Sequence, residues 1–245
     1  MNNKIKHKLH LSRLHTLIAG AALATGMGLI ATTASATAIT ATVGGVPSNA
    51  QVYENFDSVP HGDGTYITPS GIIVSFGGGG HAVQGAFPSQ YAAPFLSGNN
   101  GANFGSQMDG ADASTYLATG AAGSNVTLTF GGPTRYMGLL WGSVDTYNTL
   151  TFYNGTTEVG KFTGADVSAA ASGNQGADGT FYVNINLSDS FTSVVATSSS
   201  YAFEFDNVAT SSDPLKVPEP GTVGVFLLGL LLVGSAYRLK GRRQS

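Results

Sequence analysis

The chain has 245 residues, 34 glycines, no cysteine and a formal net charge of −3. The missing thiols exclude disulfide scaffolds, cysteine nucleophiles and thiolate metal sites. Charge is concentrated by position: Lys4, Lys6, Lys8 and Arg13 open the chain, Arg238, Lys240, Arg242 and Arg243 close it, and only Arg135, Lys161 and Lys216 stand between them against all 14 acids, a local charge of −11. Nucleic acid is excluded as a partner, because phosphate neutralisation needs clustered cations.

Residues 1–16 are basic and polar, residues 17–34 are small and apolar, and Ala34-Ser35-Ala36 supplies an A-x-A site. This order predicts a signal helix over residues 1–36, removed by signal peptidase after passage through the Sec translocon. Cleavage is expected after Ala36, with Ala38 as the alternative.

The ectodomain expected over residues 37–216 begins with short strands at 52–56 and 72–76. Residues 77–124, rich in Gly, Ala, Ser and Asn and containing Gly77-Gly78-Gly79-Gly80, read as long loops. Tyr91, Phe95, Phe104 and Tyr116 give those loops something to pack with, so a single domain is kept. A strand follows at 125–130, and residues 136–141, apolar on both parities, predict a central strand covered on both faces. Between Leu150 and Val159, Asn154-Gly155 predicts a two-residue hairpin turn that pairs Phe152 with Thr157. Residues 165–179 read as a second loop. Period-two alternation then puts Phe181, Val183, Ile185 and Leu187 on one face, and Tyr201, Phe203 and Phe205 inward on the last strand. Many short strands with Gly and Asn punctuation predict an all-β fold, a β-sandwich of jelly-roll type.

After the ectodomain come Val217-Pro218-Glu219-Pro220-Gly221, an apolar stretch at 222–237 and the basic stop Arg238, Lys240, Arg242, Arg243 at 238–245. Its apolar core of about 15 residues reaches roughly 22 Å as a helix, short for a ~30 Å hydrocarbon layer. It reads as a transmembrane sorting helix rather than a lasting anchor. The positive-inside bias keeps both basic ends cytoplasmic and exports the acidic middle. The three-part tail over residues 217–245 resembles the PEP-CTERM sorting signal of bacterial surface proteins. That resemblance implies an exosortase as partner, cleavage near Pro218-Glu219-Pro220, transient residence in the inner membrane and final placement at the cell surface or outside, in organisms that make extracellular polysaccharide. The string from Tyr136 to Asp145, with Phe203-Glu204-Phe205-Asp206-Asn207-Val208, resembles a group of exosortase-dependent surface proteins for which no activity is implied.

No G-x-S-x-G, P-loop, H-E-x-x-H or dinucleotide fingerprint is present. His61 and His81 alone remain after export, and Asp109 with Asp112 reads as a solvated turn. No catalytic residue is assigned. Tyr147, Tyr153 and Tyr182 are the candidate sugar-stacking rings, against ordinary strand composition. Glu54 and Asp57 near the first strand and Asp206 and Asn207 on the last are candidate calcium ligands, since hard oxygen donors suit that ion. The alternative there is a set of solvated acids. The expected function is a non-catalytic surface or matrix protein associated with extracellular polysaccharide. The alternatives are a carbohydrate-binding module with a defined site and, third, a secreted hydrolase. The intact mass of the surface form is expected to lack residues 1–36 and 223–245, and a full-length C-terminus there would overturn the sorting assignment.

Overall fold

The computed structural model describes residues 39–216. The expected signal segment with Ala34 and Ala36, and the expected sorting tail with residues 217–221 and 238–245, lie outside them. The described chain is all-β and antiparallel, with an 11-stranded sheet, a two-stranded sheet and two short helical turns, α1 (Gly164–Val167) and a 3-10 turn at Ala177–Gly179. Among these residues no helix is long and apolar enough to cross a membrane.

Two long strands organise the sheet, β9 (Asn125–Gly142) and β12 (Phe181–Ser198). They pair at both ends, Phe181 to Asn186 against Trp141 to Tyr136 and Ser193 to Thr197 against Thr129 to Asn125. Between these stretches the register shifts, and Gly131, Gly132 and Pro133 turn outward to solvent. Proline has no N–H for a ladder and glycine no side chain to pack, so this is where the strand is weakest. Arg135 Nη2 donates to the Ser188 carbonyl, tying β9 to the middle of β12.

Each half recruits its own neighbours. On the 125–130 side lie β4 (Ile73–Gly77) beside β9, β3 (Thr65–Ile67) beyond it, and on β12 the hairpin of β10 (Asn148–Asn154) and β11 (Thr157–Thr163). On the 134–142 side, β1 (Ile39–Val43) joins β12 and β13 (Glu204–Ser211) joins β9. The outer edge of β13 is shared by β8 (Tyr116–Ala118) and β2 (Val52–Glu54), and β5 (His81–Val83) lies beyond β8. The alternation expected at 181–187 holds: Val183, Ile185 and Leu187 are buried in the main core and Phe181 packs against it. That core also takes Leu128, Phe152 and Val194 from the other half and Trp141, Phe203 and Phe205 from this one. Trp141 stacks on Phe203 at 4.3 Å.

Residues 136–141 are buried throughout, as a strand covered on both faces should be. Their second face carries Tyr136 and Leu140, which with Tyr182 of β12 and Ala209 of β13 meet Leu96 and Phe104 in a smaller core. The segment expected as loops therefore serves as a lid over the sheet. It contributes β5 and β8 to the main sheet, and β6 (Phe95–Leu96) and β7 (Gly110–Ala111) form the two-stranded sheet.

Two local expectations are corrected. The hairpin forms, but Asn154 pairs with Thr157 and Phe152 with Gly160. Positive φ falls on Gly155 (60°) and not on Asn154, so the turn is Gly155-Thr156 and a bulge between Phe152 and Tyr153 shifts the register again. Tyr201 is 45% exposed rather than inward, because the strand begins only at Glu204.

The four-glycine run is a tight crossing, not slack chain. Gly78 adopts φ +62°, and a Cβ there would lie 2.5 Å from the Gly123 carbonyl oxygen, a backbone atom that cannot swing aside. Gly78→Ala is expected to cost at least ~2 kcal/mol, lowering Tm by roughly 4–8 °C for a domain of this size. Gly45→Ala, with nothing within 4 Å, should leave Tm unchanged in the same thermal scan.

Candidate functional site

All eight residues of β13 are buried, including Glu204, Asp206 and Asn207. Strand parity sends Phe203 and Phe205 into the main core and Glu204 and Asp206 to the other face. That face is not solvent, as the alternative reading of Asp206 as a solvated acid had it, but the underside of the lid. Asn207 by parity belongs with the phenylalanines. A bulge intervenes: Asp206 pairs with Leu140 and Ala209 with Gly138, leaving two residues opposite Leu139, and Asn207 takes φ +52°. The bulge returns Val208 to the core and sets the Asn207 amide beside Asp206.

Two polar sites result along this face. The first is a cleft of about 210 Å³ whose lining includes Tyr91, Asp145, Tyr147, Gln175, Tyr201 and Glu204. Asp145 is placed by the bridge between Asp145 and Ser172 and accepts from the Asn148 amide at 3.1 Å through its carbonyl. The Tyr147 hydroxyl donates to the main-chain carbonyl of Tyr201 at 3.2 Å, tying the Tyr147 ring to the 201 segment. Tyr91 packs edge-on to His81 and Tyr116. Glu204 Oε1 accepts from the Ala92 amide at 3.0 Å, and its Oε2 has no hydrogen-bond partner among the described residues. Burial pushes this carboxyl up to about 7, the Asp145 charge adds to the rise, and the Ala92 amide opposes it. Burial, then Asp145, also raises the Tyr147 phenol, so it remains a donor.

The second site is a nest of carboxylates and amides under the lid. Asp112 Oδ1 accepts from the Ser114 amide at 2.8 Å and the Ser114 hydroxyl at 2.5 Å. Gln107 Nε2 donates to Ser114 Oγ at 2.6 Å and Asp206 Oδ2 at 3.4 Å, while Gln107 Oε1 accepts from Asn207 Nδ2 at 2.5 Å. Asp112 Oδ2, Asp206 Oδ1 and Asn207 Oδ1 have no hydrogen-bond partner among the described residues. Burial first, then the facing Asp112, raises the Asp206 carboxyl well above the usual range.

The expected site residues are only partly brought together. β2 and β13 do lie side by side, with Glu54 opposite Val208. Yet Glu54 Oε1 is taken by the Phe56 amide at 2.9 Å, and Asp57, exposed, accepts from Thr115 N and Asn55 Nδ2. Among the described residues no three His, Cys, Asp or Glu side chains are placed to hold a metal, so Glu54 and Asp57 do not join Asp206 as that set. Of the three tyrosines, Tyr147 lines the cleft, Tyr153 sits half-buried on β10 away from it, and Tyr182 is 1% exposed within the smaller core. Tyr182 has no free face for a sugar, because the lid covers it. Asp109 and Asp112 part company as well: Asp109 caps the Gly98 and Asn99 amides in the open, and Asp112 is buried. His61 contacts Thr115 Oγ1 at 3.3 Å and His81 the Gly79 carbonyl at 2.7 Å. Tyr91, Asp145, Tyr201, Asp112 and Gln107 gave no local signal, since their roles depend on the lid. Glu204 did: an acid between two phenylalanines on a strand has to face something.

No family model matches the chain and no curated protein matches it. Among solved structures it is similar to the enzymatically active domain of tailspike protein 4 of bacteriophage CBA120, at 12% identity and a TM-score of 0.19 over 73% of this chain. The match spans 19% of that solved chain.

A carboxyl moved from 4.5 to about 7 on folding contributes stability that is complete below 4.5 and lost as pH rises through 7. Stability against thermal unfolding is expected to fall between pH 4.5 and 8, by on the order of 3 kcal/mol from Glu204. Glu204→Gln should flatten that slope in part, the remainder belonging to Asp206. An unchanged profile in the variant would show that Glu204 is not the titrating group.

Proposed function

We propose that the protein is an exported surface protein, freed of residues 1–36, sorted through its residues 217–245 by an exosortase, and associated with extracellular polysaccharide through a non-catalytic β-sandwich of jelly-roll type. The observation that carries the binding role is the cleft, where Tyr91, Tyr147 and Tyr201 stand around amide and carboxylate groups. Aromatic faces stack on the apolar faces of sugar rings, and a few placed polar groups then orient the hydroxyls. The cleft has Asp145 and Glu204 but no Lys, Arg or His in its lining to balance an anionic polymer, so a neutral or amino-sugar polysaccharide is the better fit.

One observation favours a hydrolase as the second reading. Asp145 and Glu204 line the same cleft, and Glu204 is the acid that holds its proton near neutrality. Glycoside hydrolysis uses one protonated and one ionised carboxyl.

Full-length protein purified in mild detergent is to be titrated with neutral, amino-sugar and acidic polysaccharides. Tyr147→Ala and Tyr201→Ala are each expected to weaken binding about tenfold, equivalent to ~1.4 kcal/mol. Tyr153→Ala, outside the cleft, should bind as the parent does. Release of reducing ends that stops in Glu204→Gln would establish the hydrolase instead, and absence of binding to every polymer would overturn both.

A further inference from the structure

We propose that Asp112, Asp206 and Asn207, organised by Gln107, form a binding site for a divalent hard cation, calcium by its donor chemistry, that pins the lid to β13. Three oxygens without partners among the described residues, Asp112 Oδ2, Asp206 Oδ1 and Asn207 Oδ1, belong to residues at most 2% exposed. Unpaired polar atoms at this depth are costly, and three on side chains joined through Gln107 and Ser114 call for one shared partner. A proton shared between the two carboxyls satisfies at most two of them and leaves Asn207 Oδ1 without a donor. A cation serves all three.

The donor set selects the ion. All three atoms are oxygens, two from carboxylates and one from an amide, which suits calcium or magnesium and not the softer metals that imidazole and thiolate bind. Calcium accepts 6–8 oxygens in irregular geometry, whereas magnesium demands near-octahedral order. Half-buried Gln107 also lines an open hollow of about 280 Å³ with Asn99, Ala102 and Ser106, so the side chain that organises the three ligands borders solvent. The bulge at Asn207 gains a reason too: it is the distortion that takes an amide away from the main core and turns it to the carboxylates. Glu54 and Asp57 take no part, which separates this site from the one the sequence suggested. It stands independently of any ligand in the tyrosine cleft.

Full-length protein stripped with chelator at pH 7 is to be titrated with calcium chloride, and in parallel with magnesium chloride, by calorimetry and thermal unfolding. One calcium per chain is expected, with a Tm rise of roughly 5–10 °C at a hundredfold excess over Kd and a smaller rise with magnesium. Asp112→Asn and Asp206→Asn should each abolish the rise. Asp206→Asn without metal is expected to be at least as stable as the stripped parent, because the variant no longer has to bury a carboxyl, so loss of folding does not mask the result. Asp57→Asn, altering an exposed acid, should keep the rise. A parent protein with neither heat nor shift, or an Asp206→Asn variant that keeps both, overturns the proposal.

Discussion

The pairing of β9 with β12 is the constraint on which the rest of the molecule depends. Each is an 18-residue strand, and each is bonded to the other at both ends of its length. Every further strand of the large sheet is added directly or indirectly to the free edges that this pair leaves. β12 offers its second edge first to β1 and then to β10, and β9 offers its own first to β4 and then to β13. Because the same two chains run through both halves, a slip of one residue in either would turn Trp141, Val183 and Ile185 out of the core together. The bends at Gly131 to Pro133 and near Ser188 are the places where this long ladder can change direction without exposing core residues.

β13 converts that scaffold into chemistry. It sits beside β9 where both of its faces are covered, the inner by the main core and the outer by the lid of residues 84–115. A strand in that position is ordinarily apolar on both parities. Here the outer parity carries Glu204 and Asp206, about 7 Å apart along the strand. Each is held by the lid, Glu204 by the Ala92 amide and Asp206 by Gln107. Desolvation raises both carboxyls in preference to any neighbour's charge, as burial depth predicts. The lid that buries these acids also carries Tyr91 to the cleft. Whatever steadies residues 84–115 therefore steadies one wall of the cleft, and the two polar sites share a support.

How much of this was legible before folding can be read residue by residue. The alternation at 181–187 gave the strand and its inward face, and the doubly apolar 136–141 gave a strand covered twice. Both are local statements about period, which the fold has no freedom to alter once a face is buried. The hairpin was visible in Asn154-Gly155, but its register was not. Moving the turn by one residue shifts the partner of Phe152 by two, from Thr157 to Val159, and the bulge adds one more to reach Gly160; neither is encoded by the turn dipeptide alone. Tyr147 was legible as a candidate from its place just before a strand, and the fold leaves its ring half exposed at the cleft. Tyr182 looked equivalent and is not, since the covering Phe104 arrives from 78 positions earlier in the chain.

The sequence by itself determined the predominance of β-structure, the inward parity of residues 181–187 and of Phe203 and Phe205, and the acidity of the stretch between the two basic ends, because these follow from side-chain order and composition. Only the tertiary structure decided which acids are dry. Asp109 and Asp112 are three positions apart in similar surroundings, yet one caps a solvated turn and the other lies beneath the lid. Burial is a property of what a distant segment covers, and a loop rich in Gly, Ala and Ser carries no periodic signal of where it will lie. The position of the bulge at Asn207, and with it the meeting of Asp112, Asp206 and Gln107 across about a hundred residues of chain, was settled by the same long-range contact.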